Sequence, residues 1–337
     1  MNELKHMIFA LSETNGTSGV EDETLDMIEK TVADFARISR DRFGNSVATV
    51  EGTDRVFLLD AHTDRVGMTV TAIEEGGFLR VAKCGGMDAR VLAAQDVTVW
   101  GKEPVYGVVT STPPHLSTVE DAKKAKDFDL ILIDTGLSKE NAQKLISPGD
   151  RITVRAPHGE LINNRIFGAA LDDRAGCAVI IRAAQLVADA QNHPTVKLLL
   201  SRQEETGGSG AVTGSFEMDA DECISVDVSF ADVAGERCGE LGKGPMIGIA
   251  PVLDRKISQK LKETAEKHKI SYQLEVMSDL TGTNADHIAI SKGGIKTGLV
   301  SVPQRNMHTG VEVVSLEDIE SCARLIAEYI LGGGIDA

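Results

Sequence analysis

The sequence predicts an α/β/α sandwich with a mixed central sheet, interrupted by a small β-rich domain. Three observations predict it. Strand-like and helix-like hydrophobic patterns alternate at both ends of the chain. The run at 55–61 (RVFLLDA) is continuously apolar, as expected of a strand covered on both faces. From about residue 67 to residue 159 the pattern turns to short strands at close spacing, punctuated by turns, which suggests a small barrel or sandwich. Helical and sheet patterns resume after it, so it reads as an insertion: residues 1–66 and 160–337 form one α/β domain and 67–159 the inserted one.

Each element has its own warrant. Ser18 with Glu21 reads as a capping box, opening a helix whose apolar face is Leu25, Ile28, Val32 and Phe35. The strand at 55–61 follows. Beyond the β-rich stretch come a helix over about 173–188 and strands at 195–201 (TVKLLLS) and 223–228 (CISVDV). A helix near 256–268, a strand at 272–277, a helix near 286–291 and a strand at 297–302 complete the alternation. Ser315 caps the last helix, with Ile319, Cys322, Ile326 and Tyr329 along one face.

Composition limits the function. The 337 residues carry 51 Asp+Glu against 35 Lys+Arg, a net charge of −16, which argues against nucleic acid or an anionic membrane as partner. With 42% hydrophobic and 26% charged residues the chain is an ordinary globular one. The negative excess reads as a solvated surface, with some carboxylates collected at a cation site. No apolar stretch approaches the roughly 20 residues of a membrane span, and the opening MNELKHMIFALSETNG lacks the pattern of a signal peptide. Cys84, Cys177, Cys223, Cys238 and Cys322 are odd in number, scattered and never form a CxxC pair, which argues against a disulfide framework or a zinc–thiolate site. These features point to the cytoplasm. Cys177 and Cys322 fall in apolar helical patterns and read as core.

Five places collect metal-binding residue types, each at or past a predicted strand end, where open α/β sheets place their sites. His62 and Asp64 follow the strand at 55–61 and face the same way if the strand continues; Asp64 can hold the ring's second nitrogen. Asp172 and Asp173 enter a helix start, where an Asp is also a natural N-cap. Glu204 and Glu205 follow TVKLLLSR and precede a glycine turn, so one can bind metal while the other acts as a base. Asp227 interrupts an apolar strand, which is costly unless it is paired or bound to a cation. His308 follows the strand KTGLVSVP. Taken singly, each has a plain structural reading: a polar strand end, a cap, an acidic loop. Together, two His, two Asp and one Glu suit a pair of divalent ions sharing a carboxylate and a water.

On these residues the chain resembles the cocatalytic metallo-aminopeptidases that include glutamyl aminopeptidase and the tetrahedral (TET) aminopeptidases. The matching segments are LLDAHTDRVGMTV, GAALDDRAGCAVII, SRQEETGGSGA, ISVDVSFA, GTNADHIAISKGGIKTGLVSVP and MHTGVEVVSLEDIE, with VYGVVTSTPPH and DTGLSKENAQKLISPGD in the insertion. The resemblance spans nearly the whole chain. It implies a phosphorylase/hydrolase-like sandwich, a PDZ-like inserted dimerisation domain, and homo-oligomers built from dimers, often dodecamers. It implies that His62 and Asp227 hold one metal, Glu205 and His308 the other, that Asp172 bridges them, that Glu204 is the general base and that Asp64 orients His62. The implied cofactors are two divalent ions, zinc or cobalt, with manganese also open. The implied substrates are peptides with a free N-terminus.

Some residues depart from the family pattern. Arg65 stands where an acid is common, and Thr206-Gly207-Gly208-Ser209 replaces a more usual run. Asn284 stands for an Asp, with Asp286 and His287 near enough to compensate, and Asn306 replaces an aromatic residue. None removes an expected ligand; they bear on pocket shape and assembly. Two alternatives stay open: a related dinuclear deacylase or carboxypeptidase, and, ranked lower, a glycosidase, whose chemistry needs two carboxylates about 5–9.5 Å apart across a sugar and no histidines.

Overall fold

A computed structural model describes residues 2–113, 115, 127–233 and 238–336. Pro114, within VYGVVTSTPPH, lies outside them.

One large mixed sheet carries eleven strands. Its centre is parallel: Pro194–Ser201, Thr53–His62, Glu222–Phe230 and Lys296–Arg305 lie side by side. Antiparallel strands flank this core, Ser46–Val50 and Arg37–Arg40 on one edge, Glu312–Ser315, Arg165–Gly168 and Gly159–Leu161 on the other. Met246–Ile249 and Gln273–Val276 branch from Lys296–Arg305. The central strands are buried on both faces, which is why they read as unbroken apolar runs.

Helices cover both faces. The long helices Leu171–Ala188 and Leu316–Leu331 pack together on one face, joined by Asn2–Glu13 and Arg255–His268. Their apolar stripes meet the sheet through Leu11, Ile180, Leu261 and Ile326. Ile319, Cys322, Ile326 and Tyr329 are all buried, as is Cys177. The short helices Ser209–Glu217 and Ala285–Ile288 cover Leu58, Leu199 and Cys223 on the opposite face. The arrangement is a three-layer α/β/α sandwich. The helix Asn2–Glu13 was not expected; its Leu4, Ile8 and Leu11 recur at helical spacing and are buried.

Two expected caps are not formed. The helix opened by the Ser18–Glu21 pair runs Asp22–Val32 with Glu21 at its N-cap position, and no side chain caps it. Glu21 accepts instead from Gly19 N, and Ser18 Oγ donates to Asp64. Leu25, Ile28 and Val32 are buried as expected, while Phe35 lies past the helix end. Ser315 sits at the N-cap of Leu316–Leu331, but its hydroxyl makes no capping bond.

The stretch after Thr53–His62 closes into a six-stranded antiparallel barrel: Gly67–Ile73, Leu79–Cys84, Leu132–Asp134, Pro104–Val109, Asp96–Trp100 and Arg151–Val154. Its interior is a separate apolar core of Met68, Leu79, Val97, Val99, Ile133 and Ile152. Closure leaves no sheet edge unpaired around the ring.

Candidate metal centre and active site

Parallel strands bring the expected residues to one end of the sheet. Thr53–His62 ends in His62, with Asp64 just beyond it. Asp227 lies near the end of Glu222–Phe230, and Glu204 and Glu205 follow Pro194–Ser201 in a turn closed by Gly207 N and Gly208 N on Glu204 O. Strand pairing aligns Asp60 with Ser225, so alternation puts His62 and Asp227 on one face of the sheet. The helix Leu171–Ala188 is non-helical at Asp172 and Asp173, which frees both carboxylates from the helix surface. His308 follows the strand Lys296–Arg305 with φ +61°.

These residues meet. His62 Nε2 lies 3.0 Å from Asp172 Oδ1 and 3.9 Å from Asp227 Oδ1. His308 Nε2 lies 3.2 Å from Asp172 Oδ2 and 3.4 Å from Glu205 Oε2. Asp172 therefore turns one oxygen to each histidine. Its N-cap alternative does not apply: Gly176 N donates to Asp173 Oδ1 at 2.9 Å, and a side chain at Gly176 would strike that carboxylate.

Asp64 is fully buried and takes four contacts. Its Oδ1 is 3.2 Å from His62 Nδ1 and accepts from Glu204 N at 2.9 Å. Its Oδ2 accepts from Ser18 Oγ at 2.6 Å and Glu205 N at 3.1 Å. One carboxylate thus fixes a histidine ring and the turn that bears both glutamates.

The electrostatics are those of a crowded acid cluster. Burial pushes Glu204 up to about 7 against the pull of His62, and Glu205 and Asp64 add to the rise. Burial also raises Glu205 and Asp227. Burial disfavours a charged ring at His62 and at His308, but the facing carboxylates win: Asp172 and Asp64 raise His62, and Asp172 and Glu205 carry His308 to about 11. Asp172 is held below the usual carboxylate range despite its burial, by His308 and His62.

A cation fits the donor set. Carboxylate and imidazole atoms of His62, Asp172 and Glu205 lie within 4.8 Å of one another, as do those of His62, Asp173 and Asp227. Glu205 Oε1 and Asp173 Oδ2 are buried without a hydrogen-bond partner. Buried charge left this way is costly unless a cation meets it.

Two residues at the site have no place in the expected ligand set. Asp173 joins His62 and Asp227. Glu312, 1% exposed, accepts from Asp172 N at 3.1 Å and His308 N at 2.8 Å, tying together the two segments that share the cluster. Burial and the charge of Asp172 lift Glu312 to about 8. A signal was available: Glu312 is an acid opening the apolar strand Glu312–Ser315 four residues after His308. Asp286 does not join the cluster. It accepts from Thr281 N, Thr281 Oγ1 and Gly282 N, and ties up that loop. His287 packs beside Gly208. Asn284 donates to Ser201 Oγ near the buried Asp60. Arg65 is buried behind the cluster, where its charge reaches Glu312 and Glu205.

Comparison with known proteins agrees with this architecture. The model of the M42 glutamyl aminopeptidase family matches residues 44–325. The lysyl aminopeptidase of Pyrococcus furiosus is 33% identical over 314 residues, covering 91% of this chain and 89% of that one. A TET aminopeptidase from a marine sediment Thaumarchaeota archaeon superposes with a TM-score of 0.94 at 29% identity, covering 99% of this chain and 98% of that one. The Pyrococcus horikoshii TET1 peptidase, described as assembling into a tetrahedron or a large octahedral shell, gives 0.87 at 29% identity over 97% and 99% of the two chains. The chain belongs to the M42 glutamyl aminopeptidase family, a family of peptide-bond hydrolases.

Proposed function

We propose that this enzyme removes N-terminal residues from peptides by a metal-dependent hydrolysis in which Glu204 is the general base. The observation that carries the reading is the Asp172 carboxylate, which offers one oxygen on the His62 side and the other on the His308 side. His62 and Asp227 would hold one divalent ion, Glu205 and His308 a second, and Asp172 both; zinc and cobalt suit these ligands, and manganese is compatible. Such ions polarise a peptide carbonyl and make water acidic near neutrality. Asp173 backs His62 and Asp227, and Glu312 fixes the spacing of Asp172 and His308 through their backbone N–H groups.

The remaining steps belong to this chain. Glu204, raised by burial to about 7, accepts a proton from the attacking water on its carboxylate and delivers it to the departing amine nitrogen. Asp64 holds the His62 ring by its Nδ1 side and leaves Nε2 directed at Asp172 and Asp227. The acidic surroundings favour a substrate bearing a free, positively charged amine.

The reading extends to the rest of the molecule. Residues 1–66 and 160–337 form the catalytic domain, and 67–159 a dimerisation domain, with subunits assembling into a homo-oligomer built from dimers, up to a dodecamer. The assembly described for the TET1 relative supports this, as do the exposed Tyr106 and Leu130 on the barrel and Leu161 and Ile162 at the edge of the large sheet. A cytoplasmic location is supported by five free cysteines. No described helix is long and apolar enough to cross a membrane.

Paired substrates test the reaction. Metal-loaded enzyme should cleave aminoacyl-p-nitroanilides and leave N-acetyl amino acids intact. Preference for the blocked compounds would replace this reading with the deacylase one.

A further inference from the structure

The segment Ser18-Gly19-Val20-Glu21 has no side chain that caps a helix, yet its polar side chains are all engaged. Ser18, 3% exposed, donates its hydroxyl to Asp64 Oδ2 at 2.6 Å. Its carbonyl accepts from Arg151 Nε at 3.2 Å, and Arg151 opens the barrel strand Arg151–Val154. Gly19, at φ +91°, donates its N–H to Glu21 Oε1 at 2.7 Å; a side chain there would be strained by the backbone and would press on Arg151. Glu21 Oε2 in turn accepts from Arg202 Nε at 2.7 Å, next to the turn that carries Glu204. Just upstream, Arg65 N donates to Gly16 O, and Thr17 bridges Arg65. The segment is therefore held from both sides, by the barrel through Arg151 and by the sheet through Arg202 and Arg65.

What it holds is Asp64. The Ser18 hydroxyl shares Oδ2 with Glu205 N, while His62 Nδ1 and Glu204 N meet Oδ1. Without that hydroxyl, Oδ2 keeps a single donor inside the protein, and the carboxylate can rotate toward it. Rotation of Asp64 moves the backbone that carries Glu204 and Glu205.

We propose that Ser18 is a positioning residue for the hydrolysis: its hydroxyl locks Asp64 and thereby the Glu204–Glu205 turn, and Arg151 makes that lock depend on the seating of the barrel. This inference rests on the function proposed above, but its structural half is measurable without metal or substrate.

The test is Ser18→Ala beside Ser18→Thr, which keeps a hydroxyl, with Arg151→Ala as the barrel-side variant. Hydrogen exchange of the metal-free protein reads the lock itself. Ser18→Ala should speed exchange over 201–208 while the barrel strands stay as protected as in the wild type. Zinc affinity, measured against a competing chelator at 25 °C, should fall about 10-fold, in line with the loss of an outer-layer partner. In the metal-saturated enzyme kcat should fall by a similar factor with KM nearly unchanged, and Ser18→Thr should restore all three readings. Arg151→Ala should reproduce the faster exchange at 201–208 in weaker form. Unchanged exchange over 201–208 in Ser18→Ala overturns the proposal, as does a uniform rise in exchange across the chain that Ser18→Thr fails to correct. Failure of the wild type to bind zinc or to hydrolyse aminoacyl substrates counts against the proposed function instead, and leaves the exchange result to decide the lock.

Discussion

Two regions of the molecule solve opposite problems. The barrel closes its strands around an apolar interior in which Leu79, Val99 and Ile152 are fully buried, so packing and strand pairing account for its contacts. The end of the large sheet does the reverse. It buries Asp64, Asp172, Asp173, Asp227 and Glu312 together, with His62 among them and the buried Arg65 and Arg174 nearby, and leaves Glu205 Oε1 and Asp173 Oδ2 without hydrogen bonds. Packing cannot explain that cluster, because burying like charges opposes folding. The contrast teaches where function resides: the region that gains least from its own contacts is the one organised around something it binds.

The sharpest way to probe this contrast is to change chemistry without changing shape. Glu204→Gln keeps the size of the side chain and the backbone bond to Asp64 Oδ1. It should lower kcat by about 10²–10⁴-fold, the range a general base contributes, with zinc binding retained. Full activity in that variant would show that another group takes the proton. Asp172→Asn comes next, because it removes charge from the one carboxylate that faces both histidines. Zinc affinity should drop beyond the roughly 10–100-fold that outer-layer partners are worth, as followed by calorimetric titration.

A core substitution in the barrel should show the opposite profile. Ile133→Ala empties space among Val81, Val109 and Ile131 and should cost about 2–5 kcal/mol of stability. Chemical denaturation should register that loss, while zinc affinity measured below the transition stays within about twofold of the wild type. A large loss of affinity there would erase the distinction between the two regions.

The most gradual expected effect is the pH dependence of the metal-free chain. Asp60, Glu204 and Glu312 are raised by burial to about 6, 7 and 8 from ordinary values near 4. Between those limits the folded protein holds protons that the unfolded chain has released. Their contribution is complete below about pH 4 and is lost as pH rises through 6 to 8. The raised His62 and His308 act in the same sense, and the lowered Asp172 acts only in the acid range. The melting temperature of chelated protein should therefore decline from pH 5 to pH 8, by roughly 2–4 °C per kcal/mol lost. Zinc saturation should flatten the decline. A flat profile in the chelated protein would mean that these acids ionise at no cost.

Legibility in the sequence followed the same division. The central strands were readable because burial on both faces makes them unbroken apolar runs, as in RVFLLDA and TVKLLLS. His62, Asp172, Glu205, Asp227 and His308 were readable because each breaks such a run or follows it. Ser18 misled because a Ser three residues before a Glu is a local pattern with a local meaning, whereas its partner Asp64 is 46 residues away and pairs with it only in the fold. The role of Glu312 was missed for the same reason: its place at the opening of an apolar strand marks an acid, but the N–H groups it receives from Asp172 and His308 are set only by the fold. The helix Asn2–Glu13 did carry its signal, at Leu4, Ile8 and Leu11, which recur at helical spacing.

The most direct measurement of the central claim is turnover of a free-amine aminoacyl substrate, recorded while zinc is added back to chelated protein and bound metal is counted by native mass spectrometry. The account predicts no turnover without metal and activity that climbs until two ions are bound per chain. Undiminished turnover in metal-free protein, or zinc that binds without restoring it, would contradict the account.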